Sequence, residues 1–112
     1  MKIAIATTDG LNMSSSYEEA RGFLIIKENF NEIVHEELRW KPGLEKTDFN
    51  RDYLMISACS QLVVREISVA AKQFFMDKGI AVFVTKEDII TNVILHFLEK
   101  HYREASNTCC CP

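Results

Sequence analysis

The chain has 112 residues, with 13 Lys and Arg against 16 Asp and Glu for a formal charge of -3. That length suits one compact core, and the weak, mixed charge excludes nucleic acid and anionic membranes as obvious partners. No stretch approaches the ~20 apolar residues of a membrane span, and the start lacks the pattern of a secretory signal, so a soluble cytoplasmic protein without membrane contact is expected.

Residues 2–6 read as a buried first strand, with Ile3 and Ile5 on one face and Ala4 and Ala6 on the other, ending at an Asp9-Gly10 turn. Ser16 and Glu19 have the spacing of a capping box, which predicts a short helix from about Tyr17 to near Gly22. Phe23 to Ile26 is apolar on both strand faces. After a turn at Asn29-Phe-Asn31, the stretch from Glu32 to Trp40 carries more charge and reads as an outer hairpin strand, stopped by Lys41-Pro42-Gly43. Its Glu36 and Glu37 are expected to deter strand-to-strand aggregation.

From Asp48, the positions Phe49, Tyr53 and Ile56 recur at four and three residues, predicting a helix to about Cys59. Gln61 to Arg65 is a short buried strand, Ser68 can cap a helix holding Phe74 and Phe75, Gly79 can end it, and Ile80 to Val84 is a further strand. A strand, a helix and a strand in that order form a βαβ unit with parallel strands and a right-handed crossover. Thr85 and Asp88 repeat the capping spacing before a last helix from Lys86 to about Arg103, whose apolar stripe is Ile89, Ile90, Val93, Ile94, Phe97 and Leu98. Residues 1–104 are thus expected to form a single domain. Residues 105–112 have no pattern and read as a flexible Cys-rich tail.

The ordered pieces Lys2-Ile-Ala-Ile-Ala-Thr7, Ser14-Ser15, Ala20-Arg21, Phe23-Leu-Ile-Ile26, Ile33-Val34, Glu36-Glu37-Leu38, Cys59 and Gly79-Ile-Ala-Val-Phe83 resemble the nitrogenase accessory-factor family, also called the dinitrogenase iron-molybdenum cofactor biosynthesis family. The resemblance runs from Met1 to about His101. It implies an α/β fold, a three-layer α/β/α sandwich resembling ribonuclease H, with a mixed five-stranded sheet in the order 3-2-1-4-5 and the second strand antiparallel. It also implies a small carrier or scaffold for an iron-sulfur or iron-molybdenum cluster precursor, working with metallocofactor assembly or client proteins and not itself an enzyme. Two departures stand out. Where many members have His-Phe-Gly-Arg after the serine pair, this chain has Ser16-Tyr17-Glu18-Glu19, so the histidine expected to face a cluster is absent. Where the family tends to a glycine-rich turn after the fourth strand, this chain has Glu66-Ile67-Ser68.

The first and fourth strands should lie side by side, and ligands of open α/β sheets bind beyond the carboxyl ends of such a pair. The candidate cofactor-binding residues there are Thr8, Asp9, Ser14, Ser15, Ser16 and Ser68, next to Thr7, although capping helices and closing turns is the commoner use of these residue types. The candidate metal ligands are Cys109, Cys110 and Cys111, which as thiolates suit iron, zinc or copper(I). Adjacent cysteines diverge and lack C-x-x-C spacing, so a reactive tail is the plainer reading. Cys59 precedes a buried strand and reads as a core residue.

His96 and His101 are five apart and fall on different helix faces. Asp9 and Glu66 could share a sheet end, yet two carboxylates fall short of a two-metal site, and no Gly-x-Ser-x-Gly elbow is present. The chain is therefore read as a non-catalytic carrier, monomeric or homodimeric, with a protein-interaction module that has lost its cluster site as the alternative.

Overall fold

The computed structural model describes residues 2–30, 32–42 and 48–96. Five strands run as β1 (Lys2–Thr7), β2 (Gly22–Asn29), β3 (Glu32–Trp40), β4 (Gln61–Val64) and β5 (Ala81–Val84). Helix α1 (Phe49–Ile56) precedes β4 and α2 (Val69–Asp77) precedes β5, while residues 90–96 open a third helix. The sheet order is β3-β2-β1-β4-β5. β1 pairs antiparallel with β2 and parallel with β4, β2 pairs antiparallel with β3, and β4 pairs parallel with β5. The expected order and the antiparallel second strand are both present.

Alternation along β1 decides the layering. Ile3 and Ile5 point to a core with Met13, Ile26, Val63, Ile90 and Val93, under the helix at 90–96. Ala4 and Ala6 point the other way, and their small side chains leave room for Tyr17, Phe23, Ile56, Leu62 and Phe75, which draw α1 and α2 onto that face. Two apolar faces on one sheet require cover on both sides.

Each helix of the Ala face starts on a side-chain cap: Asp48 accepts from the Arg51 amide at 3.1 Å and Ser68 from the Ala71 amide at 3.2 Å. These caps replace partners that the first helical turn cannot supply itself. At the other end of α2, Gly79 adopts a φ of 84°, and a Cβ there would meet no atom within 4 Å. Gly79→Ala therefore isolates backbone strain from packing. It should cost about 1–2 kcal/mol, read as a lower urea midpoint with an unchanged m-value.

Two predicted helices differ from expectation. Residues 17–19 form a turn rather than a helix, because the Tyr17 amide donates to the Glu66 carbonyl at 2.7 Å and the Arg21 amide to the Thr7 carbonyl at 3.0 Å. Those bonds draw the chain back to the sheet within one turn. The last helix begins at 90, not 86, since the Met13 amide donates to the Asp88 carbonyl at 2.7 Å and the Ile90 amide to the Leu11 carbonyl at 3.1 Å. Ile89 is consequently exposed instead of joining the apolar stripe. The rest of that stripe beyond residue 96, the Gly43 stop and Cys109, Cys110 and Cys111 lie outside the described residues. Among the described residues, no helix is long and apolar enough to cross a membrane.

Candidate functional site

β1 and β4 are neighbours, with Ile3 opposite Gln61 and Ile5 opposite Val63. Their carboxyl ends lead into residues 8–21 and 65–68, and these segments carry every candidate that was placed near the sheet.

The first turn closes on itself. Thr7 is fully buried; its Oγ1 donates to the Asn12 carbonyl at 2.6 Å and accepts from the Gly10 amide at 2.8 Å. Asp9 is exposed, and its Oδ1 accepts from the amides of Leu11 and Asn12 while Oδ2 accepts from Asn12 Nδ2, all at 2.8 Å. The backbone and side-chain donors of Asn12, followed by the Leu11 amide, hold the Asp9 carboxyl below its ordinary range. Thr8 is exposed beside it.

The serine segment forms a second group. Ser14 is buried, its amide bonded to the Ala6 carbonyl at 3.1 Å and its Oγ donating to the Ser16 carbonyl at 2.7 Å. Ser15 Oγ donates to Glu19, and Ser16 Oγ accepts from the Glu19 amide at 3.2 Å. Only half of the capping box is thus made, because the Glu19 carboxylate takes Ser15 as its donor. Ser68 joins this group through Glu18, whose Oε2 lies 3.2 Å from Ser68 Oγ and 3.5 Å from the Ser68 amide. A carboxylate delivered to the start of α2 complements the positive end of the helix dipole. The structure so unites Ser14, Ser15, Ser16 and Ser68, with Thr8 and Asp9 in the adjoining turn.

Beneath the serines lies a polar knot that the sequence reading missed. Tyr17 is fully buried against Phe23, Phe49 and Phe75, with ring centroids 6.5, 6.1 and 5.3 Å away. Its hydroxyl donates to Asp52 Oδ2 at 2.6 Å. The same oxygen pairs with Lys41 Nζ at 3.2 Å, while Oδ1 faces Arg51 Nε at 3.3 Å. Lys41 Nζ also sits 5.0 Å from the Tyr17 ring centroid and 5.3 Å from that of Phe23. One signal could have found this group: Asp52 falls at the helical spacing of Phe49, Tyr53 and Ile56, on the face that must be buried.

The chemistry of the crevice is that of hard oxygen donors. Hydroxyls and the carboxylates of Asp9, Glu18 and Glu19 surround it, and Arg65 is paired with Asp88 at 2.8 Å. Iron in sulfur clusters is bound by thiolate or imidazole, and a net-anionic cluster is repelled by carboxylates. Among the described residues, no group of three or more His, Cys, Asp or Glu is arranged to hold a metal ion. Cys59 precedes β4 at the opposite, amino end and is buried, and that burial pushes its thiol up from its ordinary value. The described crevice residues do not fit an iron-sulfur or iron-molybdenum cluster.

Solved structures share this fold. PH0822 superposes with a TM-score of 0.79 at 22% identity, covering 89% of this chain and 90% of its own. A candidate dinitrogenase from Methanocaldococcus jannaschii gives a TM-score of 0.73 at 21% identity, with 89% of each chain covered. A candidate NifB protein from Thermotoga gives 0.68 at 16% identity, covering 88% of this chain and 87% of that one. No curated protein matches the chain. The family model described as dinitrogenase iron-molybdenum cofactor matches residues 1–100, nearly the whole sequence. The chain therefore belongs to the dinitrogenase iron-molybdenum cofactor family.

Proposed function

We propose that this protein serves metallocofactor assembly as a small non-catalytic carrier, holding an iron-sulfur or iron-molybdenum cluster precursor as cargo. The observation that carries this reading is the family match across residues 1–100. Because the loop crevice offers oxygen donors, the soft donors for such cargo are assigned to Cys109, Cys110 and Cys111, just beyond the matched region. The crevice surface, with Ser15, Ser16 and Ser68, then serves to dock an assembly or client protein.

Anaerobic reconstitution with iron, sulfide and molybdate tests the carrier reading. The full chain should retain a visible chromophore and bound iron after desalting, and a Cys109→Ser, Cys110→Ser, Cys111→Ser triple variant should lose most of both. Absence of retained metal in the unaltered chain overturns the proposal.

A second reading, an interaction module that kept the fold and lost the cargo, is favoured by the Glu18 carboxylate at the start of α2. It predicts equal metal content with and without the three cysteines, together with client binding that depends on the crevice surface.

A further inference from the structure

We propose that β3 is a self-association edge, pairing antiparallel with β3 of a second copy about a two-fold axis at Leu38. β3 is the longer of the two sheet edges, nine residues against four in β5. Among the described residues, no strand pairs with its outer side. Proteins commonly blunt such edges with bulges. Here the extra residue is Val34, in the first part of β3 itself, since Lys27 pairs with His35 and Glu28 with Ile33, and the register from Ile26↔Glu36 to Gly22↔Trp40 is unbroken. The last five residues of β3, beyond that bulge, therefore present a regular template, guarded only by the charges of Glu36, Glu37 and Arg39.

The order of side chains selects both partner and register. When two copies of one strand pair antiparallel about a two-fold axis, the residue on the axis faces itself, and its neighbours face each other in exchange. An axis at Glu36 or Glu37 sets carboxylate against carboxylate, and an axis at Arg39 sets guanidinium against guanidinium. With the axis at Leu38, Leu38 meets Leu38, Glu37 meets Arg39 twice, and Glu36 meets Trp40 twice. No like charges are directly opposed in that register.

The side chains are already disposed for it. Leu38 and Trp40 are 39% and 48% exposed, and alternation puts them on the same face. In the paired sheet Leu38 and Trp40 of both copies become a diagonal apolar quartet, within the reach of aromatic side chains. On the opposite face, Arg39 pairs with its own Glu37 and donates from Nη1 to the Met55 carbonyl, which holds the guanidinium at the edge. A second Glu37 approaching across the axis completes a ring of four alternating charges. Glu36 and Glu37 then act as register selectors, permitting one pairing and rejecting its neighbours.

The test is sedimentation velocity on the full chain under reducing conditions, from micromolar to millimolar concentration. The unaltered protein should reach twice the chain mass. Glu37→Arg and Arg39→Glu should each weaken the dimer at least about tenfold, since two attractive pairs become two repulsive ones. The double swap, Glu37→Arg with Arg39→Glu, should restore it. If a single swap misfolds by circular dichroism, Leu38→Glu carries the same test by opposing two carboxylates on the axis. A monomer at every concentration, or single swaps that dimerise like the unaltered chain, overturns the proposal.

Discussion

Asp52→Ala should lower the folding free energy by about 3–5 kcal/mol, read as the shift in the urea unfolding curve, which is among the larger effects a single change can have. Asp52 is fully buried on α1, and its two carboxylate oxygens serve Tyr17, Lys41 and Arg51. Removing it has unequal consequences for the three. Arg51 is partly exposed and can turn to water, but the Lys41 side chain is only 7% exposed and would keep its charge with no carboxylate beside it. The Tyr17 and Phe23 ring faces attract an ammonium, yet more weakly than an ion pair within hydrogen-bonding distance. The mechanism is confirmed by the double variant Lys41→Met, Asp52→Leu. Apolar replacement of both charged partners removes the stranded charge and should recover the share of the loss due to Lys41, while the buried Tyr17 hydroxyl, left without its acceptor, keeps the rest. A loss below about 1 kcal/mol for Asp52→Ala would mean that the pair is open to water.

Most of the fold was legible because its determinants are local or periodic. The Ile and Ala alternation in β1, the Ser68 cap, and Gly79 at the end of α2 each act within one or two turns of chain, and the structure uses all of them as the sequence implies. The departures are places where long-range bonds prevail over local propensity. Ser16 and Glu19 have helix-start spacing, but the bond from Tyr17 to Glu66 joins residues 49 apart in sequence and leaves only a turn. The last helix is delayed in the same way by contacts between residues 11–13 and 88–90.

The candidate crevice was legible as a location and much less as chemistry. The serines did gather beyond β1 and β4, while their hydroxyls proved to be engaged with neighbouring carbonyls, amides and carboxylates. A capping hydroxyl and a binding hydroxyl have the same sequence signature, so pattern alone could not separate them. The knot below them escaped for a related reason: Lys41, Asp52 and Tyr17 come from three separate elements, and only the charge of Asp52 on an apolar helix face hints at the meeting.

Tyr17→Phe probes that knot from the other side, and pH gives it a signature no cavity mutation shares. Burial, then the hydrogen bond to the Asp52 carboxylate and its charge, push the Tyr17 phenol far above its ordinary value of 10.0. The phenol therefore stays protonated in the folded protein at pH values where the unfolded chain has lost that proton. A pKa raised by folding means stability that is fully present below pH 10 and is lost as pH rises above it, by about 1.4 kcal/mol per unit. At neutral pH the variant should be less stable by about 1–3 kcal/mol, because the buried carboxylate loses a donor. Phenylalanine does not titrate, so above pH 10 the unaltered protein loses this contribution and the variant has none to lose. Urea unfolding curves measured at intervals from pH 8 to about 11.5 should accordingly converge, with the gap closing above pH 10. Parallel curves across that range would show that Tyr17 ionises alike in both states, which a fully buried phenol bonded to a carboxylate does not do.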